Sequence, residues 1–106
     1  MKDLGLAWWI LDGDEPRQAE WEEYIAWMSN GFDQTRRIAR SKVRGVEVST
    51  VFLSVDHQFG SGPPILFETM IFGGDQDQEQ WRYTSKAAAV VGHKRVVRAL
   101  RAGIVP

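Results

Sequence analysis

Apolar and polar positions follow two different periods along this chain, and the change of period marks its elements. LAWWIL (6–11) is a short apolar run closed by Asp12-Gly13, which predicts a strand and a turn. In EWEEYIAWMSNG (20–31), Trp21, Tyr24, Ile25 and Met28 recur at i, i+3, i+4 and i+7, the spacing of one helix face. Acidic residues fill its first turn, where the helix dipole favours them, and Asn30-Gly31 is a stop signal. RRIARSKV (36–43) fits no single period, and its charges suit either a helix or an edge strand. Arg44-Gly45 predicts a turn into VEVSTVFLSV (46–55), a β-branched strand whose VFL centre is apolar on both faces and therefore interior. HQFGSGPP, with two glycines and two prolines, is a loop. ILFETMIF (65–72) is the next strand, Gly73-Gly74 with DQDQE a polar turn, and WRY (81–83) a short strand. Thr84 or Ser85 caps a last helix, in which Ala89, His93, Val96 and Leu100 form an apolar stripe flanked by Val90 and Val97. Gly103 is placed to end it. The pattern predicts one α+β domain over residues 1–106: an antiparallel sheet of about four or five strands, an acidic Trp-rich N-terminal helix and a basic C-terminal helix.

Composition narrows the class. At 106 residues, 43% hydrophobic and 25% charged, the chain suits one core and an ordinary globular domain. It holds no cysteine, which excludes disulfides, thiolate metal sites and a cysteine nucleophile, and favours the cytoplasm for so small a domain. No stretch is long enough to span a membrane, and the N-terminal apolar run is followed by acid rather than a small-residue cleavage site. Five tryptophans are many for this length and suit interfaces or flat ligands. The net charge of −1 conceals segregation, with an acidic first third, a basic RRIARSKVR segment, an acidic DQDQE loop and a basic C-terminal end.

Candidate chemistry follows from position. Asp56-His57 closes a strand before a loop: either Asp56 bonds loop amides as a cap, or it orients His57 as a base or ligand group. Glu68 lies mid-strand on the face of Leu66, Met70 and Phe72, with Arg82 as the expected cation, either in a structural pair or as a carboxylate for a base edge or ribose hydroxyl. His93 stands alone on an apolar stripe, where a structural role is the ordinary one, and His57, Glu68 and His93 have no metal-ligand spacing. Lys94, Arg98 and Arg101 form an i, i+4, i+7 row suited to phosphate, with Trp81, Tyr83 or Phe59 available to stack a base; a solvated basic face is the alternative. The near-zero net charge and short basic surface argue against double-stranded nucleic acid. GSGPP is no phosphate loop because no helix follows it, and no nucleophile motif is present.

VSTVFLSVDHQFGSGPPILFETMIFGG, followed by RYTSKAAAVVGHKRVV, resembles a family of small phage and prophage proteins across about residues 43–98. Within that landscape the chain is similar to Thoeris anti-defence sponges, small α+β proteins that sequester cyclic ADP-ribose-type signals, and in some oligomers cyclic oligonucleotides, without cleaving them. The resemblance implies a stacking ring at Phe67 and phosphate contacts at Lys94 and Arg98, with Glu68, Arg82, Tyr83, His57 and Phe59 completing the ligand site. It departs from the pattern at Lys94, where an arginine is expected, and at SKAAAVV. The implied protein needs no cofactor, metal or catalytic residue, works in the cytoplasm of an infected bacterial host, and shares its site between copies as a homodimer or higher homo-oligomer. Two other functions fit the same residues: an inhibitor that binds a host protein directly, as anti-CRISPR proteins do, and a small nucleotide hydrolase using His57, Glu68 or His93.

Overall fold

A computed structural model describes residues 8–58 and 60–106. In chain order the elements are β1 (Trp8–Asp12), β2 (Glu15–Ala19), α1 (Trp21–Met28), α2 (Phe32–Arg36), β3 (Arg37–Val43), β4 (Val46–Phe52), β5 (Phe67–Phe72), β6 (Gln80–Tyr83) and α3 (Lys86–Arg101). Strands β3-β4-β5-β6 form one antiparallel meander, and β1-β2 is a separate hairpin. The fold is α+β. Among the described residues no helix is long and apolar enough to cross a membrane.

The alternation within each strand decides which side of the sheet is covered. Val48, Thr50 and Phe52 of β4 and Phe67, Thr69 and Ile71 of β5 are fully buried, and they stand opposite one another in register. They face α3, which touches all four strands of the sheet. The intervening residues form the open face, where Arg40 meets Glu47 at 2.9 Å and Arg82 meets Glu68 at 3.1 Å. One buried and one polar face is the usual arrangement of an antiparallel meander.

Helix α3 buries Ala89, Gly92, His93, Val96 and Val97, close to the stripe its sequence predicts. Ser85 caps it, its hydroxyl accepting from the Ala88 amide at 3.1 Å. At the other end Gly103, with φ of 72°, donates to Leu100, and the Ile104 amide reaches back to Ala99 at 2.9 Å. That paired closure satisfies two carbonyls of the last turn and needs a left-handed residue at Gly103.

One open reading closes and two expectations change. Of the helix and the edge strand that the charges of 36–43 suit, the structure forms the edge strand over 37–43, joined to β4 by a two-residue turn in which Arg44 (φ 53°) and Gly45 (φ 81°) are both left-handed. EPRQA pairs with β1, a strand that sequence pattern did not reveal, and Pro16 is tolerated there because the hairpin is all edge. Helix α1 buries no residue: Trp21 and Ile25 are exposed, and the covered side is Tyr24, Trp27 and Met28. The helix is held by rings, with Tyr24 stacked on Trp8 at 4.4 Å and Trp27 edge-on to Phe52 at 5.8 Å. The hairpin is tied down by the Trp9 amide on the Ser54 carbonyl (2.9 Å) and by Lys86 on Asp14 (2.6 Å).

Candidate anion-binding groove

Between α3 and edge strand β3 runs a groove of about 300 Å³ lined by Ser41, His93, Lys94, Val97, Arg98 and Arg101. The helical spacing of Lys94, Arg98 and Arg101 places all three cations along one rim. None of the three side chains has an ion-pair partner among the described residues. The row that the sequence singled out is therefore an uncompensated positive edge over a concave surface.

The floor of the groove is the end of a buried hydrogen-bond chain. Ser41 Oγ lies 2.9 Å from His93 Nε2, and Thr50 Oγ1 lies 2.8 Å from His93 Nδ1. Thr50 and Thr69, paired across β4 and β5, have hydroxyls 2.6 Å apart, and Tyr83 donates its hydroxyl to Thr69 at 3.1 Å. His93 is only 4% exposed, and burial pushes its pKa below the ordinary histidine value, so the ring is neutral at neutral pH.

One proton arrangement satisfies every donor within the chain. Tyr83 donates to Thr69. With Thr69 donating to Thr50 and Thr50 to Nδ1, every proton in the chain finds an acceptor. The neutral ring then carries its proton on Nε2 and donates it to Ser41. Ser41 keeps its own proton for whatever occupies the groove.

The residues that sequence proposed as one site are distributed over the molecule. Lys94 and Arg98 line the groove. Phe67 is a correction: it is fully buried among Phe52, Leu66 and Ala89, and its ring has no face to offer an adenine. Glu68 and Arg82 pair with each other on the open face of the sheet, on the side away from α3. Tyr83 is on the α3 side but communicates with the groove only through Thr69, Thr50 and His93. His57 lines a separate small cavity with Tyr24, Arg36 and Ser54. Phe59 lies outside the described residues. Trp81 carries the Arg95 guanidinium at 5.7 Å from its ring centre. Asp56 is a cap, its Oδ1 accepting from the amides of Gln58 (2.7 Å) and Ile65 (2.8 Å). Among the described residues no three histidine or carboxylate groups gather in a way that would hold a metal.

Ser41, Thr50 and Thr69 were not singled out from sequence. The available signal was a threonine at the matching buried position of two neighbouring apolar strands, together with a histidine on the apolar stripe of a helix. Each group needs a partner when buried, and together they supply one another. No family model matches the chain, and neither a curated protein nor a solved structure is similar to it.

Proposed function

We propose that this protein binds a phosphate-bearing small molecule in the groove between α3 and β3 and holds it without cleaving it, the behaviour of a sponge for a cyclic nucleotide immune signal. The observation that carries the reading is the row of three unpaired cations, Lys94, Arg98 and Arg101, above a concave floor that ends in a serine hydroxyl. Guanidinium groups grip phosphate in a bidentate way, and the Ser41 hydroxyl adds a neutral donor. The resemblance of residues 43–98 to phage and prophage proteins supplies the cyclic nucleotide and the anti-defence setting. A groove of about 300 Å³ is at the small end for a ligand of that size, so a second copy of the chain would supply the opposite wall.

The 2.9 Å contact between Ser41 and His93 favours a second reading, hydrolysis by a serine with an adjacent base. The proton arrangement in which every donor of the Tyr83-to-Ser41 chain has an acceptor within it supports retention instead. One experiment separates the two. Purified protein is incubated with an extract containing cyclic ADP-ribose-type and cyclic oligonucleotide signals, washed and heat-denatured, and the released molecules are identified by mass spectrometry. Release of an intact cyclic nucleotide, with capture lost in Arg98→Ala, supports the sponge. Release of linear products alone supports the hydrolase, and no captured molecule at micromolar protein refutes both.

A further inference from the structure

Strand β3 is an outer strand of the sheet, and among the described residues only β4 pairs with it. We propose that its free edge takes up an extended acidic segment of another protein as a further strand, a docking surface that does not rest on the nucleotide reading of the α3 groove.

The backbone opens this edge. Arg44 and Gly45 form a two-residue hairpin turn, so the residues flanking it, Val43 and Val46, are the hydrogen-bonded pair that closes the ladder. Antiparallel pairs alternate, so Ser41 also bonds to β4, while the amides and carbonyls of Arg40 and Lys42 point away from it. The other side of β4 agrees. Just past its end the Leu53 amide donates to the Leu66 carbonyl at 2.6 Å, which assigns the odd-numbered residues of β4 to β5 and the even-numbered ones to β3. Among the described residues the outward groups of Arg40 and Lys42 have no backbone partner. Strand β1 meets the chain only beyond β4, at Ser54. The β3 ladder is regular from Ala39 to Val43, and its one irregularity lies earlier, between Arg37 and Ala39.

The side chains select the occupant. Arg37, Arg40 and Lys42 stand on the open face of the sheet. Glu47 pairs with Arg40 at 2.9 Å, and Arg37 and Lys42 have no ion-pair partner among the described residues. On the other face Ser41 looks into the groove, which Lys94, Arg98 and Arg101 rim and no carboxylate lines. One or two basic residues on an outer strand guard it against pairing with another edge. Cations on both faces, three of them from α3, go beyond a guard and favour a strand that carries negative charge. An incoming strand alternates its side chains in step with β3. Residues opposite Arg40 and Lys42 lie over the open face, and the one between them, opposite Ser41, turns into the groove. Carboxylates at three successive positions therefore meet positive charge on both faces. A second copy of β3 is the wrong occupant. Docked about a two-fold axis at Ser41, it would set Arg40 of each copy against Lys42 of the other, and like charges directly opposite repel.

The probe is a capped peptide with three central glutamates flanked by valine and threonine, compared with the same peptide carrying glutamines instead. Binding to the whole protein is followed by NMR, with amide hydrogen exchange at Arg40, Ser41 and Lys42 measured without peptide and at saturation. The expected result is saturable binding that is at least about tenfold weaker for the glutamine peptide at low salt. Exchange at Arg40 and Lys42 should slow at least about tenfold, while Ser41, already bonded to β4, changes far less. Lys42→Ala removes a charge, and Lys42→Pro removes the charge and the outward amide together, a position where an outer strand accepts proline. The proline variant should bind at least about threefold more weakly than the alanine variant. No saturable binding at millimolar peptide would overturn the proposal, as would equal affinity for the glutamine peptide or equal affinity of the two variants. Binding without protection of Arg40 and Lys42 would overturn it too, since the groove cations alone would then hold the peptide. So would protection that rises with protein concentration in the absence of peptide, which would assign the edge to a second copy.

Discussion

Replacing Gly92 with alanine tests how closely α3 is pressed onto the sheet. In the interior of a solvated helix this change is favourable by about 1 kcal/mol, because glycine is the poorer helix former. Here a Cβ at position 92 would overlap the hydroxyl end of Tyr83, at its oxygen, Cζ and Cε1. Tyr83 cannot simply swing away. Its ring packs against the cluster of Phe52, Leu66, Phe67 and Ala89, and its hydroxyl donates to Thr69 at 3.1 Å. Overpacking of this kind costs about 1–3 kcal/mol, and losing the hydrogen bond costs about 1 more. Set against the helix gain, Gly92→Ala should destabilise by about 1–3 kcal/mol. Urea unfolding with the slope held constant measures it. The same change made in a Tyr83→Ala background meets no ring, so it should there stabilise by up to about 1 kcal/mol. That reversal of sign is the diagnostic. A Gly92→Ala protein more stable than the parent, with Tyr83 intact, would refute the close approach and with it the upper end of the hydroxyl chain.

His93 is held below its ordinary pKa by burial, so the unfolded chain takes up its proton first as the pH falls. Stability should therefore be full above about pH 6.5 and decline below it, by at most about 1.4 kcal/mol per pH unit from this group, and His93→Gln should flatten that slope in denaturant titrations run at several pH values. Glu68→Gln breaks the pair with Arg82, but Arg82 is more than a third exposed and the pair sits on the open face, so a loss below about 1 kcal/mol and no change in nucleotide capture are expected. Lost capture in that variant would return Glu68 to the ligand site.

The strands that sequence pattern identified were those whose burial is set by local alternation. From Val48 to Phe52 and from Phe67 to Ile71 every second residue is at zero exposure, and a period of two records that directly. The α3 stripe and its Gly103 closure were legible for the same reason, since both are local. What was not legible depended on partners distant in sequence. EPRQA is a strand only because Trp8–Asp12 lies alongside it. The face of α1 was misread because that helix rests on Trp8 and Phe52, aromatic side chains from two separate strands, and presents no stripe to the core. Phe67 and Glu68 are neighbours in sequence, so a reading along the chain put them in one site. The pleat sends them to opposite faces, one into the core and one to Arg82.

The same pleat explains why the groove is the stronger candidate. Thr50, Thr69 and His93 occupy central positions beneath α3, where valine and leucine would bury apolar surface and need no partners. A domain of 106 residues has little core to spare. Yet this one places an imidazole and two hydroxyls at its centre and satisfies all of them. A polar chain that served packing alone could close on itself inside the core. This one leaves the core at Ser41, in the groove rimmed by the Lys94, Arg98 and Arg101 row of α3. The buried chain of polar groups therefore meets the groove through a single hydroxyl, Ser41. Departures from the simplest apolar solution are expected where a fold is built around a ligand.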